Sequence, residues 1–234
     1  YGYLVLFFMG MRPSLLELLV RGDEAMYERM ANLQEPAQRE GAILFCDLSQ
    51  SAPLARQLPT ARYFRLVRDL WTGIDRAVAD ELGIIGKHAG DGASAFFLVE
   101  NLGNASRSAA AAIRAARRIH EIAEEVTGDV IEEAGAMRVG IHWGAQLYIG
   151  QLVPGGRLDV TALGDDVNEG ARIQEAAPPG ETQASKQLIE RLEPDDAASL
   201  GLDAEKLFYR TLADMPGAPE KAVRDAGALA VTSL

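Results

Sequence analysis

The stretch Ile43-Leu44-Phe45-Cys46-Asp47-Leu48 contains an apolar run that ends in a single carboxylate, Asp47. The run begins at Ala42 and is bounded by Gly41 on one side and Asp47 on the other. Short apolar runs between turn residues are typical of strands buried in the centre of a sheet. We therefore predict a central strand over Ala42–Cys46, with the carboxylate at its end.

Helices and strands alternate on both sides of this strand. An Asp91-Gly92 pair between two apolar runs predicts a hairpin, because both central residues of such a tight turn need positive φ. Asn104 is a suitable N-cap for the Ala-rich helix that follows. The apolar spacing predicts helices over residues 13–35, 60–82, 104–126, 165–175 and 185–192, and strands near 84–89, 93–99, 137–142, 146–152, 158–162, 182, 208–212 and 229–232.

The core order is strand, helix, strand, strand, helix, strand. It predicts an α+β fold with a ferredoxin-like split βαβ core, an antiparallel sheet with helices on one face, and appended strands and helices. We expect residues 1–39 to form an apolar segment and a linker helix, and residues 40–234 to form one domain. The helix over 13–35, which Pro36 ends, is predicted either to pack on its own domain or to carry a coiled-coil seam.

Net charge and cysteine content limit the possible partners and the compartment of the protein. The net charge of −11 argues against nucleic acid as a partner, since phosphate backbones require a basic surface. It does not exclude a small polyphosphate, because bound metal ions and a few basic side chains can reverse the field in one cleft. The single cysteine, Cys46, cannot form an internal disulfide, which is consistent with a reducing, cytoplasmic compartment.

Residues 1–10 are apolar but far shorter than the roughly 20 residues that span a bilayer. They also lack the basic start and the cleavage site of a signal peptide. Because the chain opens without Met, we expect a cloning remnant or a piece of a longer protein, with any membrane attachment lying outside this chain.

Two carboxylates are candidate metal ligands. Asp47 ends a strand and Asp91 lies at a hairpin tip, and a split βαβ fold brings these positions together. Two converging carboxylates form an oxygen-rich site suited to Mg²⁺ or Mn²⁺ shared with substrate phosphates. Such a pair repels itself without metal, so removing either carboxylate is predicted not to destabilise the domain. The ordinary alternative is turn chemistry, which places Asp at both kinds of position.

A second motif is Gly164-Asp165-Asp166-Val167-Asn168, followed by Arg172. Asn168 and Arg172 are four residues apart, so on a helix they share one face and can reach one ligand. An Arg fork can donate two hydrogen bonds to phosphate oxygens and stays charged. The alternative is a solvated helix capped by Asp165, with Arg172 beside acidic neighbours.

These segments together resemble the catalytic domain of class III nucleotidyl cyclases, the adenylate and guanylate cyclases. Phe45-Cys46-Asp47-Leu48 looks like the family's Phe-x-Asp-Ile box, and Gly90-Asp91 looks like its Gly-Asp hairpin. The resemblance covers about residues 40–192. It implies two divalent ions, Mg²⁺ or Mn²⁺, bound by Asp47, Asp91 and the backbone carbonyl of Leu48.

The resemblance also implies a substrate and an assembly. Lys87 and Thr161 match the family's purine-reading positions, and this pair points to ATP, with Asp159 as the alternative if the alignment slips by two residues. Asn168 would orient the ribose and Arg172 would stabilise charge on the phosphates. The family builds its active sites between the subunits of a dimer, so we expect an adenylate cyclase that forms a homodimer, makes cyclic AMP and serves signal transduction.

The sequence departs from the family at three places. Gln50-Ser51-Ala52 stands where members usually have Gly-Phe-Thr, in the turn that cradles phosphates. Glu169 and Gly170 stand where small or apolar residues are common in the family. For the basic residue that members often place near the C-terminus to bind phosphates, only Lys206 and Arg210 are available as guesses. A guanylate cyclase, or a degenerate cyclase-like domain that binds nucleotide without turnover, therefore stays open as an alternative.

Overall fold

The computed structural model describes residues 24–128, 137–152 and 159–234. Within these ranges eight strands form one mixed sheet in the order β2-β3-β1-β4-β6-β8-β7, and β5 pairs with the distal part of β4. The strands are β1 (Ala37–Leu48), β2 (Ile84–Ala89), β3 (Gly92–Leu98), β4 (Met137–Leu152), β5 (Asp159–Leu163), β6 (Thr182–Ser185), β7 (Arg210–Thr211) and β8 (Ala230–Ser233).

Helices connect these strands, and two short 3₁₀ turns lie near the C-terminus at Ala204–Lys206 and Leu212–Asp214. The α-helices are α1 (Glu24–Ala31), α2 (Ser51–Gln57), α3 (Thr60–Asp80), α4 (Val99–Leu102), α5 (Ala105–Thr127), α6 (Asp165–Ala176), α7 (Lys186–Ile189), α8 (Pro194–Ser199) and α9 (Glu220–Ala226). The Asn104 side chain accepts a hydrogen bond of 2.8 Å from the Arg107 N–H, which confirms the predicted N-cap of α5.

Strand β1 is buried on both faces, as its apolar run predicts. Leu44 and Cys46 pack in the larger core with the long helices α3 and α5. Ile43 and Phe45 point to the opposite face, since successive side chains of a strand alternate, and there they meet residues of α1 and β5. Asp47, one of the two candidate metal ligands, shares this second face by the same alternation.

Helix α6 also packs on the second face, at a distance that only glycine permits. A Cβ on Gly140 of β4 would lie 2.3 Å from the Gln174 backbone nitrogen, and one on Gly170 would lie 3.2 Å from the Phe45 ring. Real Cβ atoms do not approach backbone as closely as 2.3 Å, so Gly140 sets how near α6 lies to β4, and at Gly170 a Cβ would require the Phe45 ring to shift by a few tenths of an ångström. The position of Gly170, unusual when judged from sequence, thus has a packing reason.

The α+β class and split βαβ core are confirmed, but several details of the prediction were wrong. Strands β4 and β6 are parallel, so the sheet is mixed, and helices cover both faces because α6 lies opposite α3 and α5. Residues 137–152 form one continuous strand, because pairing with β1 extends through Gly144. Helix α2 was not predicted at all.

The hairpin turn lies one residue earlier than the sequence suggests. Ala89 pairs with Gly92, so the central turn residues are Gly90 and Asp91. Only Gly90 has positive φ, at 64°, as in a turn with glycine at its first central position. Asp91 is therefore free of the left-handed conformation and presents its side chain toward β1.

Part of the predicted helix over 13–35 lies outside the described residues, and residues 1–10 lie outside them entirely. Its described part, α1, ends at Ala31 rather than at Pro36. Met26, Met30 and Leu33 are buried against the second face of the sheet, which is the packing expected of a helix on its own domain. No helix in the described ranges is long and apolar enough to cross a membrane.

Candidate active site

The structure brings the two predicted metal ligands together where β1 meets the β2–β3 hairpin. Cys46 pairs with Ala93 across the sheet, and the Leu48 N–H donates a 3.1 Å hydrogen bond to Oδ2 of Asp91. A Cβ on Gly92 would lie 2.8 Å from the Cys46 carbonyl oxygen and 3.3 Å from Asp47 Cβ. Glycine at this position therefore lets the hairpin close against Asp47.

Arg138, which sequence reasoning did not single out, binds the first carboxylate. Its Nε and Nη2 donate hydrogen bonds of 2.9 and 2.7 Å to the two oxygens of Asp47, and both side chains are about 30% exposed. The two residues are direct partners in the β1–β4 register. The guanidinium thus faces the Asp47 carboxylate beside Asp91, and we expect Asp47 to contribute to stability in the absence of metal.

The donor set fits the divalent ions that the family implies. A carboxylate has about four lone-pair sites, so the two hydrogen bonds from Arg138 leave acceptor capacity on Asp47. Asp91 likewise has a second oxygen beyond the one bonded to Leu48, whose own carbonyl follows Asp47 directly in the chain. Hard oxygen donors without a cysteine or histidine among them suit Mg²⁺ and Mn²⁺.

The two predicted purine-reading residues lie on strands that touch. A Cβ on Gly86 of β2 would lie 3.2 Å from the Val160 carbonyl oxygen of β5. Lys87 and Thr161 each directly follow one of these contacting residues. Lys87 is exposed, while its backbone N–H is held by the Ser94 hydroxyl at 3.1 Å. One chain therefore presents both side chains at the same part of its surface.

Asn168 and Arg172 line one cavity on α6, as their spacing predicts. The cavity has a volume of about 490 Å³, and Asp165, Glu169 and Asp225 complete its lining. Gly164, with φ of 134°, precedes the helix, so Asp165 is its first residue and not its cap. Asn168 is exposed and Arg172 is buried.

The guanidinium of Arg172 is already paired within the chain. It contacts the Glu175 carboxylate, and its Nε lies 3.2 Å from Oδ2 of Asp225 on α9. The pKa of Asp225 is lowered, first by a hydrogen bond from Arg224 and further by the charges of Arg224 and Arg172. The arginine expected to meet phosphates is thus held by two carboxylates in this state.

The cavity at Asn168 and Arg172 is not lined by Asp47 or Asp91. Among the described residues, no hydrogen bond or ion pair joins the Asp47–Asp91 pair to Asn168 or Arg172. The chain therefore carries two separate partial sites: a carboxylate pair beside Arg138, and the α6 face.

The turn after β1 has a backbone conformation that glycine adopts more easily than other residues. Gln50 is left-handed there, with φ of 58° and ψ of 29°, and α2 begins at the next residue. This conformation costs a non-glycine residue roughly 1–2 kcal/mol. The turn at Gln50-Ser51-Ala52 is therefore strained in this chain.

The remaining candidates have ordinary environments. His88 lies 2.7 Å from an Asp75 oxygen and stacks on Trp71. Burial raises the pKa of the Cys46 thiol to about 12, as expected of an inert core cysteine. Lys206 is exposed and pairs with Asp203, and neither it nor Arg210 lines the cavity at Asn168.

Comparison with known proteins identifies the family of this chain. The model of the adenylate and guanylate cyclase catalytic domain matches residues 33–207. An adenylate cyclase of Anabaena cylindrica is 27% identical over 136 residues, which are 58% of this chain and 27% of that protein. An uncharacterized protein of Mycobacterium tuberculosis is 31% identical over 140 residues, 59% of this chain and 24% of its own length. The chain thus spans about a quarter of the length of the curated relatives it matches.

Solved structures show the same fold at low sequence identity. The adenylyl cyclase CyaB from P. aeruginosa superposes with a TM-score of 0.64 at 17% identity, covering 86% of this chain and 96% of that one. The guanylyl cyclase Cya2 gives a TM-score of 0.63 at 18% identity, covering 85% and 92%. The family match over residues 33–207 and the shared fold agree: the chain belongs to the adenylate and guanylate cyclase catalytic domain family.

Proposed function

We propose that this domain is an adenylate cyclase, which converts ATP to 3′,5′-cyclic AMP and pyrophosphate. The observation that carries the proposal is the convergence of Asp47 and Asp91, with the Leu48 backbone bonded to Asp91 between them. Two oxygen-rich ligands at a strand end and a hairpin tip would hold two divalent ions. When bound, those ions would lower the pKa of the ribose 3′-hydroxyl and neutralise charge on the phosphates.

The protein's own side chains would do the positioning. The 3′-oxygen attacks the α-phosphorus, the bond from that phosphorus to the bridging oxygen breaks, and the hydroxyl proton passes to solvent as pyrophosphate leaves. Asn168 would orient the ribose for this in-line attack. Arg172 would stabilise the charge that develops on the phosphates, once ATP replaces Glu175 and Asp225 as its partners.

The base preference rests on Lys87 and Thr161. An ammonium and a hydroxyl can donate to the ring nitrogens of adenine, and these residues lie beside the contact between β2 and β5. Adenine N1 can accept a hydrogen bond from the ammonium, whereas guanine carries a hydrogen at N1 and would face the ammonium with a donor, so the match is to ATP. A guanylate cyclase is the alternative that a substrate competition assay would reveal.

The separation of the two partial sites supports a homodimer. We propose that the Asp47–Asp91 pair of one chain faces Lys87, Thr161, Asn168 and Arg172 of a second copy, so that a two-fold dimer has two equivalent sites. Each chain would then need the other to complete a site. Cytoplasmic location and a role in signal transduction belong to the same proposal.

A complementation experiment tests this arrangement. Asp47→Ala alone and Asn168→Ala alone should each be inactive with ATP and Mn²⁺. A mixture should recover up to about a quarter of wild-type activity, because half of the dimers are mixed and each has one intact site. The matched control mixes Asp47→Ala with Asp91→Ala, which damage the same half of the site and should recover nothing.

The outcomes separate the hypotheses. No recovery with Asn168→Ala, when differently tagged chains are shown to exchange, would mean that the site is built within one chain. An inactive wild-type domain that still binds ATP would favour the degenerate regulatory domain. The altered turn at Gln50-Ser51-Ala52 is the feature of this chain that favours that second candidate.

A further inference from the structure

A buried histidine on the sheet faces two carboxylates of α6, away from the proposed catalytic metals. His142 of β4 is 1% exposed, and its Nε2 lies 3.2 Å from Oε2 of Glu169. One ligand atom each from His142, Asp166 and Glu169 can be chosen so that all three lie within 4.8 Å of one another. Both carboxylates are half-buried, so the cluster opens to solvent on one side.

The histidine lacks the partners that a buried imidazole usually has. Neither ring nitrogen makes a hydrogen bond to any residue that the structure describes, and the approach to Glu169 is not aligned for one. A buried polar group left without a hydrogen bond costs about 1–3 kcal/mol. The other two histidines do better, since His88 meets Asp75 and His120 meets Thr182 at 2.9 Å.

The backbone holds the three ligands in place before any ion binds. Asp166 and Glu169 are three residues apart, so they share one face of α6. The Gln146 N–H donates a 3.3 Å hydrogen bond to Oδ2 of Asp166, which orients that carboxylate toward β4. A Cβ on Gly140 would lie 2.3 Å from the Gln174 backbone nitrogen, so the helix that carries both carboxylates packs tightly on the strand that carries His142.

We propose that His142, Asp166 and Glu169 bind a divalent transition-metal ion, with Zn²⁺ as the best match. One imidazole nitrogen and two carboxylate oxygens leave a fourth, water-filled position in a tetrahedral site. The nitrogen donor selects against Mg²⁺, which prefers oxygen ligands only. The ion would tie α6 to β4 through the helical turn that carries Asn168.

The test removes the proposed catalytic metal site first. The Asp47→Asn/Asp91→Asn double variant keeps side-chain volume and should still bind one Co²⁺ per chain, seen as visible absorption bands of a nitrogen- and oxygen-ligated ion. Zn²⁺ should abolish the bands by displacement and should raise the melting temperature. Activity is not needed, so this result is independent of the cyclase proposal.

Further variants locate the ion. In the double-variant background, Glu169→Gln and Asp166→Asn should each weaken Co²⁺ binding at least tenfold and remove the thermal gain from Zn²⁺. Glu175→Gln, which removes the same charge from the same helix outside the cluster, should leave binding unchanged. Absent Co²⁺ bands, or bands that survive Glu169→Gln, would mean that His142 and Glu169 form only a buried contact and would overturn the proposal.

Discussion

Replacing Asp47 by asparagine should destabilise the metal-free domain measurably, because it removes the charge that faces Arg138. Two charged hydrogen bonds of 2.9 and 2.7 Å join the pair, and each side chain is about 30% exposed. A fully exposed ion pair contributes at most about 1 kcal/mol, whereas breaking a buried one costs about 3–5 kcal/mol. We expect a loss of about 1–2 kcal/mol, which corresponds to a fall of roughly 2–8 °C in melting temperature for a domain of this size.

A double-mutant cycle with Arg138→Gln isolates the interaction. Chemical denaturation without divalent ions should give a coupling free energy of about 1–2 kcal/mol. With Mn²⁺ at about 100 times its Kd, the wild-type domain should gain about 2.7 kcal/mol, and Asp47→Asn should lose most of that gain. Both effects report on the same carboxylate, one in the absence of the ion and one in its presence.

A second ion pair of similar exposure provides the control. Arg114 and Glu81 are 2.7 Å apart, with side chains 43% and 24% exposed. Glu81→Gln should lower stability by a comparable amount and leave the Mn²⁺ gain intact. A coupling near zero between Asp47 and Arg138 would refute the structural argument, and an undiminished Mn²⁺ gain in Asp47→Asn would refute the metal assignment.

Three further predictions concern substrate choice, affinity and pH. Lys87→Glu should reduce turnover of ATP far more than that of GTP, and an unchanged ratio would remove Lys87 from the purine site. Asp225→Asn should lower the KM for ATP about threefold, roughly 0.7 kcal/mol, since one competitor for Arg172 is lost. Steady-state kinetics checks this, and an unchanged melting temperature shows that the fold is intact. Burial lowers the pKa of His120 below its ordinary 6.5, so the unfolded chain binds the proton more tightly and stability is lost as pH falls below about 6.5. His120→Gln should flatten that dependence below about pH 6.5, and an identical slope in the variant would contradict it.

Local signals in the sequence predicted local structure well. The apolar run before Asp47 specified a central strand, and Asn104 specified the start of α5, because each depends on neighbouring residues only. The four-residue spacing of Asn168 and Arg172 likewise placed both on one cavity. These features needed no knowledge of which segments meet.

Features that depend on distant segments were missed. The contact between Asp47 and Arg138 is set by strand register, which no spacing within either strand reveals. Strand β4 was predicted as two strands, near 137–142 and 146–152, whereas pairing with β1 continues on both sides of a register shift between Arg39 and Gly41. The approach of Asp225 to Arg172 depends on how α9 packs on α6, and no motif marks it.

The glycine contacts under α6 have a mechanical consequence. With Gly140 against Gln174 and Gly170 near the Phe45 ring, the helix packs closely on both strands. We therefore expect α6, with Asn168 and Arg172, to move as one rigid unit with the strand that ends in Asp47. In the proposed dimer, an upstream signal would then act on the angle between the two subunits and not on the geometry of one partial site within a chain.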